Sequence, residues 1–431
     1  MLLNSFPPGN NSVPDPILSY IERQVRMIKG RHEVVMTRLP PLHQEIRVNF
    51  RYGVYFTEDV FAPHNPLLAE IVAGGGEKLP RKILVVVDDG LHQHHPRLLE
   101  DIAGYLGHYS DHLRLACSPL LVPGGEQVKN EAFPVSQVRR AIHQNGLCRH
   151  SYVVAAGGGA VIDMTGYAAA TAHRGVRLIR LPTTVMAQAD ASIGVKNGIN
   201  AFGKKNFVGT FAPPSAVIND SHFLTTLSQR DWISGVAEAV KVALIKDASF
   251  FAFLEEHALG LADRRLDLMR ETIHRCAALH LQHIATCGDP FELGSSRPLD
   301  FGHWSAHKLE QLTKFSLRHG EAVAIGMALD VTYSWLAGRL SQTDWDRIVT
   351  LLEHLGLPTY VPELEEDDLL EGLQEFREHL GGRLTVMLLE NIGQGQEVYA
   401  MDPGLVRAAA GILRERALGH HLLGRVQRSS G

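Results

Sequence analysis

What the chain lacks narrows its class before any motif is read. Its four cysteines, Cys117, Cys148, Cys276 and Cys287, are scattered through 431 residues with no CxxC or finger-type spacing. That excludes a disulfide framework and predicts free thiols in a reducing compartment. No stretch reaches the ~18 to 20 uninterrupted apolar residues of a membrane-crossing helix. The opening MLLNSFPPGNNSVPDP has no basic segment followed by an apolar core, so a cytoplasmic location is expected. Neither charge is in excess: a net charge of -5 gives no general attraction to nucleic acid or an anionic membrane, and any anion site must be built locally. The expected partner is a small molecule.

What is present is an ordinary globular balance, 45% hydrophobic and 21% charged, in a chain long enough for two domains. Residues 1–44, rich in Pro, Asn and Ser and then amphipathic, read as an N-terminal extension without chemistry. From RVNFRYGVYF onward, β-rich apolar runs (KILVVVDDG, LACSPLLVPGG, SYVVAAGGG) alternate with helical stretches near 67–74, 97–106 and 135–145. That is the pattern of a parallel sheet covered on both faces, and it predicts an α/β nucleotide-binding domain over 45–223. Beyond it, helical periodicity at 231–258, 264–286, 320–338 and 344–355, with one strand-like piece at 383–390, predicts a mainly α-helical domain over 224–431. Ligands are expected in the cleft between the two.

Three constellations carry chemistry. The strand SYVVAA runs into Gly157-Gly158-Gly159 and an Ala-rich helix, where bare backbone N–H groups can approach a pyrophosphate, although a glycine run alone also suits a tight turn. Asp88, closing KILVVVD, is placed to hold a ribose and to favour NAD over NADP; an Asp at a strand end is otherwise commonly a loop residue. Among the 23 histidines, His303 and His307 are four apart and share a helical face, and His319 opens HGEAV. With Glu238 they offer the donor types of a catalytic zinc site, though any one of them alone is more often a packing residue. Lys196, Lys205, Asn206 and Arg174 are basic or amide groups able to bind a phosphate ester; such residues are also common on a solvated surface. Lys241, one helical turn after Glu238, is placed to assist proton transfer.

Taken together, PGGEQVK at 123–129, GGGAVIDMTGYAAAT at 157–171, RGVRLIRLPTTVMAQADASIGVKNGIN at 174–200, GKKNFVGTF at 203–211 and GVAEAVKVALI at 235–245 resemble the dehydroquinate synthase family, the sugar phosphate cyclases, over roughly 55–400. The resemblance implies NAD and zinc, with cobalt an alternative. It marks Asp88, Glu126, Lys129, Gly158, Gly159, Asp163, Thr183, Thr184, Asp190, Lys205, Thr226 and Leu227 as cofactor positions. It marks Glu238, His303 and His319 as metal ligands, and Lys196, Lys205, Asn206, Lys241, Asp300 and His307 as substrate positions, with Lys196, Lys241 and His307 catalytic. Arg174 is implied to reach a neighbouring subunit's phosphate, hence a homodimer. The implied reaction oxidises a ring hydroxyl transiently, eliminates phosphate, returns the hydride, opens the ring and closes a carbocycle by an intramolecular aldol.

Departures from the family pattern bear on the substrate. Asp300 stands where dehydroquinate synthases carry Asn, His280 where a lysine is expected, Arg297 one place from an expected arginine, and Phe376-Arg377-Glu378-His379 where a Lys pair is expected. The family's basic groups surround a substrate carboxylate, so their alteration points to a substrate without one; Asp300 and the opening YGVYFTEDVFAPHNP are similar to the C7-cyclitol branch, the 2-epi-5-epi-valiolone and 2-epi-valiolone synthases. Sedoheptulose 7-phosphate is the implied substrate. His307, by contrast, is the residue expected of 3-dehydroquinate synthase, which stays the alternative. A metal-dependent polyol or glycerol dehydrogenase on the same fold has no use for PGGEQVK or the phosphate-binding groups, and a non-catalytic relative has no use for the complete metal set.

Overall fold

The computed structural model describes residues 41–75, 80–286, 291, 298–379 and 382–428, so Cys287 and Arg297 lie outside the described residues. The chain divides into two compact units, Met1–Asn49 and Phe50–Gly431. Of the first, residues 41–49 are described; they are exposed and carry neither helix nor strand.

In the second unit, seven strands form one parallel sheet in the order β1-β9-β6-β5-β2-β3, with β4 also pairing with β2. They are β1 Gly53–Thr57, β2 Arg81–Asp88, β3 Leu113–Leu115, β4 Leu120–Val122, β5 Tyr152–Gly157, β6 Arg177–Pro182 and β9 Ala216–Asp220. Both faces are covered. Ile83, Val85 and Val87 of β2 join one apolar cluster and Leu84 and Val86 the other, which is why these strands read as unbroken apolar runs rather than alternating ones. The run RVNFRYGVYF yields a strand only from Gly53, because its neighbour β9 pairs with Gly53–Thr57 alone. The apolar stretch LACSPLLV splits into two short strands, each on a different part of β2.

Several elements have no counterpart in the sequence reading, among them β6, β9, the helix Glu371–His379, a hairpin and a late helix. An antiparallel hairpin, β7 Lys196–Ala201 and β8 Lys204–Phe211, leaves the sheet and packs on α1, Gly159–Thr171. A helix covers Pro403–Arg428, and the late strand β10 Val386–Asn391 pairs with β11 Gln394–Val398.

The helical periodicity at 231–258 resolves into three helices, Gln229–Ser234, α2 Val236–Lys246 and Ala248–Ala262. Gly235 breaks the first pair; a Cβ there would lie 2.5 Å from Met186 N. Asp247 breaks the second by accepting from Ser249 N at 2.8 Å and Phe250 N at 3.0 Å, an N-cap. Every residue of α2 from Val236 to Ile245 is buried, including the charged pair Glu238 and Lys241. Around it lie α3 Leu266–Thr286, α4 His303–Leu312 and α5 His319–Leu336.

The approach of α5 is set by glycines. A Cβ on Gly320 would sit 1.9 Å from Ser234 O, and one on Gly326 would sit 2.0 Å from Gly302 O, so backbone meets backbone at both crossings. Gly326→Ala should therefore force α4 and α5 apart and lower stability by ~1–3 kcal/mol, read as a fall in the thermal midpoint. Gly104→Ala, on the exposed face of the helix Leu98–His108 with nothing within 4 Å of the new Cβ, should raise stability by ~0.5–1 kcal/mol. Equal effects of the two would refute this account of the α4–α5 contact.

Candidate active site

The nucleotide end is assembled at the C-terminal edge of the sheet. Asp88 ends β2 and caps the following helix, accepting from Gly90 N at 2.9 Å and Leu91 N at 3.4 Å. Burial raises its pKa against those donors. A Cβ on Gly124 would lie 2.4 Å from Asp88 Oδ1, so the PGGEQVK loop passes Asp88 only as glycine. Gly158 caps α1 without a side-chain bond, and Gly159 begins the helix, leaving first-turn N–H groups for an anion. Neither has a positive φ; the glycines here provide clearance.

Behind them Lys129, 4% exposed, lies 2.9 Å from Asp163 Oδ2 and 3.9 Å from Glu126, and also donates to Asn206 Oδ1. Thr183 N donates to Gly157 O at 3.0 Å, and Thr184 Oγ1 accepts from Ala187 N at 3.2 Å. Thr226 Oγ1 lies 2.9 Å from His95 Nε2, and the carbonyl of Leu227 accepts from Arg264 at 2.6 Å.

The metal-type cluster sits where α2, α4 and α5 converge. The donor atoms of Glu238, His303 and His319 all lie within 4.8 Å of one another. His303 Nε2 is 3.8 Å and His319 Nε2 3.6 Å from the same oxygen, Glu238 Oε1. Each ring is held by its other nitrogen: His303 Nδ1 lies 3.0 Å from Phe301 O, and His319 Nδ1 3.3 Å from Glu310 Oε2. One buried carboxylate and two convergent Nε2 atoms fit a divalent ion with positions left open for substrate. His307 is exposed but stays beside them, its ring centroid 5.5 Å from that of His303 and 5.9 Å from that of His319.

Next to the cluster is a cavity of about 180 Å³ whose lining includes Asp190, Lys196, Lys241, His280, Asp300 and His303. Lys241 is ion-paired with Glu238 and is 3.9 Å from Asp190 Oδ2. Burial opposes its charge, but Glu238 and Asp190 outweigh burial and raise its pKa, so it is an ammonium. Asp190 lies 2.7 Å from His280 Nδ1; burial works against its charge, and Lys241 and His280 hold it ionised.

The phosphate-binding candidates do not share one set of contacts. Lys196 lines this cavity, Lys205 donates to Glu310 at 2.8 Å, and Asn206 meets Lys129. Arg174 is exposed elsewhere, lining a pocket of about 480 Å³ with Cys148, Arg149, Thr171 and His173. It projects from a turn in which His173, Arg174 and Gly175 all have positive φ, a conformation that costs energy in non-glycine residues. Of the family-pattern departures, Asp300 and His280 face the cavity, while Arg377 donates to Gly382 O at 2.9 Å and Phe376 is buried in the helical core.

Three residues with structural control over the site escaped the sequence reading. Arg180, fully buried, donates to the carbonyls of Ser192 (2.8 Å), Gly194 (2.5 Å) and Lys196 (2.9 Å) and to Asn197 Oδ1 (3.0 Å), and so shapes the segment that carries Asp190 and Lys196. Asp330 accepts from Gly302 N at 3.1 Å and Trp304 Nε1 at 2.8 Å, the two neighbours of His303. Glu310 joins Lys205 to His319. Arg180 sits in a strand pattern, and Asp330 follows the apolar run Ala322–Leu329 of α5; a lone charge at such a position was the available signal.

Known proteins carry the same pattern. The 3-dehydroquinate synthase N-terminal and C-terminal family models match residues 119–234 and 235–378. The chain is 34% identical to a 3-dehydroquinate synthase of Nitrosococcus oceani, over 83% of this chain and 95% of that protein. It is also 34% identical to a 2-epi-5-epi-valiolone synthase of Streptomyces glaucescens, over 82% and 88%. A 2-epi-5-epi-valiolone synthase structure from Streptomyces hygroscopicus subsp. jinggangensis, with NAD+ and Zn2+ bound, superposes with a TM-score of 0.78 at 29% identity, over 87% of this chain and 100% of that one. The fold and site define an enzyme of the sugar phosphate cyclase class, and the chain belongs to the 3-dehydroquinate synthase family.

Two predictions follow from the site. Glu238→Ala or His319→Ala should abolish bound metal and turnover and leave NAD affinity near wild type; full metal occupancy in either variant would show that other residues are the ligands. Burial raises Asp330 to about 7 against the donors Trp304 and Gly302. A carboxyl raised in the folded state contributes stability that is complete below about pH 4 and lost as pH climbs through 7, at up to about 1.4 kcal/mol per pH unit. The stability of the metal-free wild type relative to Asp330→Asn should therefore decline between pH 4 and 7, and a flat difference would mean that Asp330 is ionised throughout.

Proposed function

We propose that this enzyme is a carbon–oxygen lyase that converts sedoheptulose 7-phosphate to a carbocyclic cyclitol with loss of phosphate, using NAD and a zinc ion, for which cobalt can substitute. The observation that carries the substrate assignment is the character of the cavity. Asp190, Asp300 and His280 line it, and its two lysines are Lys196 and Lys241, the latter already paired with Glu238. A substrate carboxylate entering beside Asp300 and Asp190 would meet like charge, whereas the hydroxyls of a neutral heptulose can donate to both.

Asp88 and the start of α1 suit the ribose and pyrophosphate of NAD, while Glu238, His303 and His319 suit the ion. When bound, NAD takes up and later returns a hydride and the metal polarises a substrate hydroxyl. Lys196, the one of the phosphate-binding candidates that lines the cavity, is placed to bind the phosphate ester. Lys241, as an ammonium between Glu238 and Asp190, donates to substrate oxygens and relays protons beside the cluster. His307 borders the same space. Phosphate departs by elimination from the oxidised ring, and the opened chain then closes by an aldol addition. Arg174, on its strained exposed turn, serves the phosphate of a second copy in a homodimer.

The second reading, 3-dehydroquinate synthase acting on 3-deoxy-arabino-heptulosonate 7-phosphate, is favoured by His307 and by the relatives of that name. Offering both sugars side by side and identifying products by NMR separates the two. Turnover of sedoheptulose 7-phosphate with phosphate release and no accumulating NADH is the expected outcome. Exclusive turnover of the heptulosonate would overturn the substrate assignment, and stoichiometric NADH without phosphate would point instead to a dehydrogenase.

A further inference from the structure

A second group of possible ligands, His307, Glu310 and His319, also has its donor atoms within 4.8 Å of one another, but its carboxylate is already engaged. Glu310 lies one turn after His307 in α4 and is 4% exposed. Its Oε1 accepts from Lys205 Nζ at 2.8 Å, across 105 residues of sequence, and its Oε2 is 3.3 Å from His319 Nδ1. The Lys205 bond leaves Glu310 a poor candidate for a metal ligand. Paired with the Lys205 ammonium at 2.8 Å, it is a carboxylate and can only accept. The proton in the His319 contact therefore resides on Nδ1, and Nε2, 3.6 Å from Glu238 Oε1, is left to face the cluster.

We propose that Glu310 is a positioning residue that fixes the tautomer and direction of His319 with one oxygen and anchors Lys205 of the β7–β8 hairpin with the other, so that one buried carboxylate sets both the metal grip and the hairpin. This rests on the reading of Glu238, His303 and His319 as metal ligands. Outer carboxylates of this kind hold ligating histidines in place, and their loss typically weakens metal binding ~10- to 100-fold. The second bond ties the helical half to a hairpin whose own strand pairing ends at its two strands. Without Glu310, Lys205 keeps a cation–π contact with the exposed Phe315, at 5.5 Å, a weaker anchor.

The test uses the full chain as wild type, Glu310→Gln and Lys205→Met. Zn2+ affinity is measured by competition with a chromogenic chelator, NAD affinity by calorimetry, and hairpin opening by amide hydrogen exchange over residues 196–211. Glu310→Gln should weaken Zn2+ binding ~10- to 100-fold, leave NAD affinity near wild type and speed exchange in the hairpin. Lys205→Met keeps the Glu310–His319 bond, so it should speed hairpin exchange while Zn2+ affinity stays near wild type. Wild-type Zn2+ affinity in Glu310→Gln overturns the proposal, as does an equal loss in both variants, which would assign the effect to hairpin packing. If Glu310→Gln does not fold, Glu310→Asp keeps the charge but shortens the reach, and the same loss of Zn2+ affinity is required of it. Zn2+ binding that is unaffected by Glu238→Ala would overturn the metal-site reading together with this one, an outcome distinct from failure of Glu310→Gln alone.

Discussion

Glu238 places a carboxylate in the interior of the helical half with 1% of its surface exposed, and the need to compensate that charge organises the residues around it. An uncompensated buried carboxylate is expensive. Here Lys241 pairs with it from one turn along the same helix, and two imidazole nitrogens face its other oxygen. Burial drives His303 well below the usual histidine range, with Lys241 adding to the effect, so its ring is neutral, and with Nδ1 donating to Phe301 O its Nε2 offers a lone pair. A divalent ion held among these groups would supply the positive charge that the neutral ring does not. Site chemistry and local stability are thus aspects of one electrostatic arrangement.

Compensation spreads outward in layers. Asp190, with His280 Nδ1 at 2.7 Å, extends the polar set toward the adjoining cavity, and Arg180 holds the segment that delivers Asp190 and Lys196. Asp330 holds the backbone and the indole on either side of His303, and Glu310 holds His319. None of these three needs to touch a ligand to matter, because a ligating ring displaced by an ångström no longer meets its ion. The close helix crossings at Gly320 and Gly326 do for backbones what these polar groups do for side chains.

The two candidate substrates share a phosphate ester but differ in a carboxylate and in a hydroxyl, so discrimination between them depends on what surrounds those carbons. Asp300 and His280 line the cavity beside the cluster, which under the proposed function is where those carbons would lie. They stand outside the glycine-rich and lysine-bearing segments that define the family, which is why one fold and one reaction plan can serve substrates that differ by a carboxylate.

Much of this was legible without coordinates. The apolar runs of β2 and β5 announce a sheet buried on both faces, and the i, i+4 histidines announce a shared helical side, because both depend on local periodicity. The ordered motifs from Gly157 to Lys241 carry the family. The breaks at Gly235 and Asp247 were invisible, since one arises from contact with Met186 and the other from a cap that competes with continuous helical periodicity. The apparent grouping of Lys196, Lys205, Asn206 and Arg174 was a property of sequence proximity. Folding gives each a different neighbour: the cavity, Glu310, Lys129 and an outer pocket. Sequence by itself determined the sheet, the donor types and the reaction family, since these rest on residue identity and short-range spacing. Tertiary structure alone decided which nitrogen of each histidine faces the cluster and that Arg180, Glu310 and Asp330 govern it, because those facts depend on contacts between residues far apart in the chain.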